Sequence, residues 1–131
     1  MTDELDKPIG TKEAPKLSAG SVIVKKVTIE PAKEGSKAKI VRLHCLHPER
    51  EEPIALSNIM VRKVQGNNIT IKKDTLWYNL DGKDGKEGDI RKGSVLANFM
   101  SFYQKSNLRA FENSSINTEL DASGFLTIKG Y

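Results

Sequence analysis

Residues 76–103 read LWYNLDGKDGKEGDIRKGSVLANFMSFY and divide the chain into a β-rich part before them and a β-hairpin after them. They open with the only tryptophan, Trp77, pass through a loop with three glycines and end in a segment of helical periodicity. Ser94 belongs to the residue types that commonly cap helix N-termini. Apolar side chains recur after it at helical spacing as far as Tyr103. The pattern predicts one main helix, residues 94–103, whose apolar stripe packs against a sheet.

Upstream of this helix, β-branched and alternating apolar residues predict several strands. They cover residues 21–30, 39–46, 54–56, 59–64 and 68–73. In the first of these strands Val22 and Val24 fall on one parity, whereas Val27 and Ile29 fall on the other. A strict two-residue period cannot place both pairs on one face, so we expect a β-bulge near residues 25–26 that bends the strand.

Downstream of the helix, residues 116–120 and 125–131 predict a closing hairpin around a turn that contains Gly124. The predicted fold is mainly β with one main helix (α+β). It is a small barrel or half-barrel, with the helix between the strand meander and the closing hairpin. Residues 1–20 are polar and predict a disordered or loosely attached N-terminal arm. Residues 21–131 predict a single β-rich domain.

The charge of the chain is unevenly distributed. The net charge of the 131 residues is +4, and residues 21–79 carry eleven Lys and Arg against six Asp and Glu. The excess positive charge therefore falls on the predicted strands, which suits either nucleic-acid binding or an ordinary solvated surface. No apolar run approaches the ~18 residues that span a bilayer. The N-terminus has no signal-peptide core. We expect a soluble cytoplasmic protein that does not contact membranes.

The residue types that carry catalysis or bind metals do not form a recognisable site. The cluster His44, Cys45 and His47 contains both histidines and the single cysteine of the chain, whereas zinc sites need three or four ligands from two segments. Cys45 follows the parity of Val41 and Leu43, which predicts a buried structural thiol. The chain lacks a nucleophile elbow and a phosphate-binding glycine loop. The prediction is a non-enzymatic protein without catalytic residues, metal or cofactor.

Basic side chains on the predicted strands, combined with aromatic side chains, suggest a binding surface instead. Cations that follow a phosphate backbone and aromatic rings that stack on bases are the means by which proteins bind single strands. The candidate nucleic-acid-binding residues are Lys26, Arg42, Arg62, Lys63, Lys72 and Trp77, and Phe125 is a second candidate for stacking. The predicted partner is single-stranded DNA or RNA.

The order of these elements resembles an OB-fold: a curved leading strand, meander strands, a helix and a closing hairpin. The bent strand 22–29, the capped helix 94–103 and the final pair 116–120 and 125–128 carry the resemblance. OB-folds commonly bind single-stranded nucleic acid or other partners across their middle strands. The chain departs from the family in having more strand segments before the helix than the family's three. Either residues 54–56 join the neighbouring strand, or the domain is a different α+β half-barrel.

Two other functions remain open. A protein-interaction module or subunit would dock a partner, or a second copy of itself, through a sheet edge or through the apolar helix stripe, which Phe102 and Tyr103 broaden. A small-ligand binder would use the mouth of the barrel.

Overall fold

The structure, a computed structural model, describes residues 17–83 and 87–131. Its strands are β1 (Ser21–Pro31), β2 (Lys39–Leu46), β3 (Ile54–Leu56), β4 (Asn58–Gln65), β5 (Asn68–Thr75), β6 (Ser115–Leu120) and β7 (Leu126–Lys129). Helix α1 (Val95–Phe102) lies between β5 and β6 in the chain, and a 3₁₀ turn (Arg109–Phe111) follows it. The prediction of a mainly β fold with one main helix before a closing hairpin is confirmed.

The strands form one curled sheet in the order β3-β2-β1-β6-β7-β4-β5. Neighbouring strands are antiparallel except β4 and β7, which run parallel. β3 pairs with β2, β4 pairs with β7, and only Ser57 separates β3 from β4 in the chain. The two segments therefore connect distant parts of the sheet order and curl it into a half-barrel, which is consistent with a small OB-like α+β architecture.

The predicted bulge in β1 is confirmed. Val24 lies opposite Cys45 and Lys26 lies opposite His44, so the register with β2 shifts by one residue between Val24 and Lys26. Val24 is buried before the shift, and Val27 packs against the core after it. The bulge therefore lets both halves of β1 contribute apolar side chains to the same core while the strand bends.

The core lies between the sheet and one side of α1. Leu96, Phe99 and Met100 of the helix are buried, and the ring of Phe99 stacks on that of Phe111 with 4.6 Å between centroids. The strands contribute Val22, Val24, Val41, Leu43, Cys45, Ile59, Val61, Ile116 and Ile128. The helix thus covers the concave side of the sheet, as its apolar stripe predicts.

Hydrogen bonds fix both ends of α1. The Oγ of Ser94 accepts a hydrogen bond from the backbone N–H of Ala97 at 3.1 Å, which confirms the predicted N-cap. At the other end, the hydroxyl of Tyr103 donates to the C=O of Lys129 at 2.7 Å and accepts from the N–H of Asn117 at 3.0 Å. The helix is therefore tied to both strands of the closing hairpin.

Residues 17–20, the last four of the predicted N-terminal arm, contact the domain. Leu17 packs against the core. The C=O of Ser18 accepts a hydrogen bond from Nε2 of His47 at 2.8 Å, and the C=O of Gly20 accepts one from the hydroxyl of Thr118 at 2.6 Å. The rest of the predicted arm, residues 1–16, lies outside the described residues.

In residues 17–83 and 87–131, no helix has the length and apolar character needed to cross a membrane.

Candidate nucleic-acid interface

Trp77 lies beside β2, two residues after the end of β5. It forms an antiparallel bridge with Ile40, and the N–H of Val41 donates to the C=O of Leu76 at 2.8 Å. Leu76 is fully buried, whereas the side chain of Trp77 projects to the other side and is 38% exposed. The indole is therefore held against the sheet and remains accessible to a flat ligand.

Trp77 shares its face of the sheet with alternate residues of β1 and β2. Residues directly opposite each other in paired strands project to the same face. Ile40 lies opposite both Trp77 and Glu30. On the same face, the next two opposed pairs of β1 and β2 are Thr28 with Arg42 and Lys26 with His44. We call this surface the indole face. It consists of Lys26, Thr28, Glu30, Ile40, Arg42, His44 and Trp77.

A polar cluster fixes the middle of the indole face. The Thr28 hydroxyl donates to Oε2 of Glu30 at 2.8 Å, so its oxygen accepts from Nε2 of His44 at 2.9 Å. Nε of Arg42 lies 3.5 Å from the same Oε2. The carboxylate of Glu30 therefore orients Arg42 and offsets part of its charge, and a phosphate at this position would compete with Glu30 for the guanidinium.

The structure separates the six predicted binding residues into two groups. Lys26, Arg42 and Trp77 belong to the indole face. The other three lie on the β4–β5 hairpin, and the register divides them between its two faces. Lys72 lies opposite the inward residue Val61, and Lys63 follows the same parity, whereas Arg62 has the opposite, outward parity. The cations therefore do not share a single concave surface.

The other aromatic candidate, Phe125, is exposed in the turn before β7. Among the described residues, no aromatic ring pairs with that of Trp77. Stacking at the indole face therefore depends on Trp77 alone.

Two members of the cluster, Cys45 and His47, serve the fold, whereas His44 belongs to the indole face. Burial raises the pKa of the Cys45 thiol to about 12, so it stays protonated at neutral pH. Nδ1 of His47 accepts a hydrogen bond from the N–H of Glu49 at 3.0 Å, and its Nε2 donates one to the C=O of Ser18. Both nitrogens of His47 are thus occupied by backbone groups. The described residues hold no group of three or more His, Cys, Asp and Glu with metal-binding geometry.

A groove of about 660 Å³ lies between α1 and the segment that follows Trp77. Its lining includes Tyr78, Leu80, Met100 and Lys105. In the described part of the chain, every buried side-chain nitrogen and oxygen has a hydrogen-bond partner. The groove therefore offers no unsatisfied buried polar group that would orient a small ligand.

Reasoning from the sequence did not identify Thr28, Glu30 and Ile40 as members of the surface. The common parity of Thr28 and Glu30 after the bulge is visible in the sequence. Their position opposite Arg42 and Trp77 depends on the strand register and on the bridge at Ile40, and no local pattern specifies these.

Comparison of the chain with protein-family models, with curated proteins and with solved structures finds no match.

Proposed function

We propose that the protein is a non-enzymatic, cytoplasmic single-stranded nucleic-acid-binding protein of the OB-like type and that the indole face contacts the strand. One observation carries the proposal. The accessible indole of Trp77 and the cations Arg42 and Lys26 project from the same face of the sheet. Bases stack on aromatic rings regardless of their identity, and cations beside the ring suit the phosphates that link those bases.

The proposal implies modest affinity for the strand and weak sequence preference. Stacking on one indole contributes roughly 1–3 kcal/mol per base. For a single strand, two phosphate contacts give a slope of about −1.4 in a plot of the logarithm of the binding constant against the logarithm of the salt concentration. We call this value the salt slope. Arg42 is shared with Glu30, which lowers what it contributes to phosphate binding. We therefore expect a short strand to bind at low ionic strength and to dissociate as salt is added.

Fluorescence anisotropy of a fluorescein-labelled oligothymidine, measured with wild type and variants over a range of salt concentrations, tests the proposal. Trp77→Ala should lower the affinity roughly 5- to 150-fold, the equivalent of the stacking energy. Lys26→Gln should reduce the salt slope by about 0.7. Lys72→Gln removes the same charge from the β4–β5 hairpin, outside the indole face, so it should leave the salt slope nearly unchanged.

Two results would contradict the proposal. One is an absence of salt-dependent binding by the wild-type protein. The other is an equal reduction of the salt slope in Lys72→Gln and Lys26→Gln, because binding would then depend on the total charge rather than on the cations of the indole face.

A further inference from the structure

The outer part of the β4–β5 hairpin extends beyond the core. Every residue from Arg62 to Lys73 is exposed, although the preceding β4 residues Ile59 and Val61 are buried. Gly66, the first of the two turn residues, has φ +60°, the conformation that a type II′ hairpin turn requires at this position. The tip is therefore a regular two-stranded ribbon that contributes little to the core.

β5 forms one edge of the curled sheet. In the described part of the chain it pairs only with β4. Because opposed residues in an antiparallel pair alternate between bonded and non-bonded positions, every second residue of β5 directs its N–H and C=O away from β4. These groups are positioned to pair with one further strand.

An apolar strip lies next to this edge. Val64 and Ile69 are directly opposed, and Ile71 lies two residues further along β5 on the same face. Their exposed fractions are 64%, 63% and 38%, which are large for branched aliphatic side chains. An added strand with apolar side chains at alternate positions would cover this strip.

The charge of the hairpin indicates what kind of strand would bind. Residues 62–73 contain four Lys and Arg and no Asp or Glu, a charge equal to the +4 of the whole chain. Lys73 forms an ion pair with Asp121 at 2.8 Å. The other three cations, Arg62, Lys63 and Lys72, form no ion pair within the described residues. Such a surface is complementary to an acidic partner.

Two other occupants fit this surface less well. A second copy of the chain would bring its own Lys72 and Lys73 against the same strand, and like charges on paired strands are unfavourable. A nucleic acid would find cations but no aromatic ring in residues 62–73, and its phosphates would leave the apolar strip uncovered.

We propose that the free edge of β5 binds an extended acidic segment of a partner protein, which pairs as an additional strand. The N–H and C=O groups of its backbone would pair with those of β5. Its apolar side chains would cover Val64, Ile69 and Ile71 on one face, and its carboxylates would lie on the other face, with Lys63 and Lys72. This site is separate from the indole face and does not depend on nucleic-acid binding.

The test uses the full chain and a fluorescein-labelled peptide of alternating glutamate and valine, followed by anisotropy and by amide ¹⁵N–¹H shifts of the protein. We expect saturable binding that salt weakens, with the largest shifts in β5. Lys72→Glu should weaken binding roughly tenfold because it places a like charge opposite the peptide. Lys92→Glu, a matched reversal of an exposed cation outside the hairpin, should have little effect. Ile69→Ser should also weaken binding without unfolding the domain.

Three outcomes would overturn the proposal. In the first, the peptide does not bind, or Lys72→Glu and Lys92→Glu lower its affinity equally. In the second, an oligonucleotide shifts the β5 amides and the peptide does not, which would assign the hairpin to nucleic acid. In the third, analytical ultracentrifugation shows a dimer that Lys72→Glu changes, which would assign the edge to a second copy. The first and third results leave the indole face untouched, because its test uses a different ligand. The second would also count against the indole face, and the response of Trp77→Ala to the same oligonucleotide separates the two surfaces.

Discussion

Strands β2 and β5 have the same length and differ completely in burial. Both are eight residues long and both contain apolar residues at alternate positions. In β2, Val41, Leu43 and Cys45 are fully buried. In β5, Ile69 and Ile71 are exposed and no side chain is buried. Alternation predicts that a segment is a strand, but it does not determine whether the strand is covered.

The difference in burial arises from the strands that pair with β2 and β5 and from the core that each strand contacts. β2 lies between β1 on one edge and β3 with the Trp77 segment on the other, and its inward side chains belong to the core that α1 covers. Within residues 17–83 and 87–131, β5 pairs with no strand other than β4, and it forms the last strand of the sheet order. A strand of the first kind stabilises the domain, whereas one of the second kind is available for binding.

The sharpest test of this comparison is a pair of truncations. Leu43→Ala should lower the free energy of unfolding by roughly 2–5 kcal/mol because it leaves a cavity in a closed core. Ile69→Ala should change it by no more than about 0.5 kcal/mol because the side chain is already solvated. Equilibrium urea denaturation measures both values. Comparable losses of unfolding free energy in the two variants would mean that Ile69 is packed rather than solvated and that β5 resembles β2 in burial.

A smaller effect is expected on the indole face of β2. Glu30→Gln removes the carboxylate that engages Arg42 at 3.5 Å and leaves a neutral amide of the same shape. Since exposed ion pairs contribute about 0.2–1 kcal/mol, oligonucleotide affinity should rise up to roughly fivefold. Glu51→Gln, in the loop before β3, is the matched control and should change affinity little. A loss of affinity in Glu30→Gln would mean that Glu30 is needed to orient Arg42.

The smallest effect concerns the ion pair that joins β5 to the turn before β7. The Lys73 ammonium, followed by the backbone N–H groups of Phe125 and Ser123, holds the pKa of Asp121 below its ordinary value. A carboxyl whose pKa is lowered by folding adds stability above its unfolded pKa, about 3.9, and loses this contribution as the pH falls through the folded value. Asp121→Asn should therefore be less stable than wild type at neutral pH. The difference should shrink as the pH falls below about 4.

Urea denaturation at several pH values measures this difference. If the difference in unfolding free energy between wild type and Asp121→Asn persists unchanged at acidic pH, the charge of Asp121 does not contribute to stability. The Lys73 contact would then hold β5 by packing alone.

Local chemistry was enough to predict much of the fold. The phase change in β1 specified the bulge, Ser94 specified the start of α1, and the parity of Cys45 specified its burial. These features depend on residues close in sequence. The arrangement of the binding surface depends on register and on which edges meet, which are tertiary properties.

The cations show this limit most clearly. From the sequence, Lys26, Arg42, Lys63 and Lys72 were equivalent basic residues on strands. The pairing of Lys72 with Val61 gives Lys63 and Lys72 the inward parity, while the bridge between Ile40 and Trp77 brings the indole to the face of Arg42. A shift of one residue in either register would reverse these assignments.

The emission of Trp77 measures the central proposal most directly, because it is the only tryptophan and lies on the proposed surface. Titration with unlabelled oligothymidine at low salt should quench the indole saturably, and added salt should restore its emission. Emission that stays constant throughout the titration, while the protein remains folded by circular dichroism, would contradict the assignment of the indole face to nucleic acid.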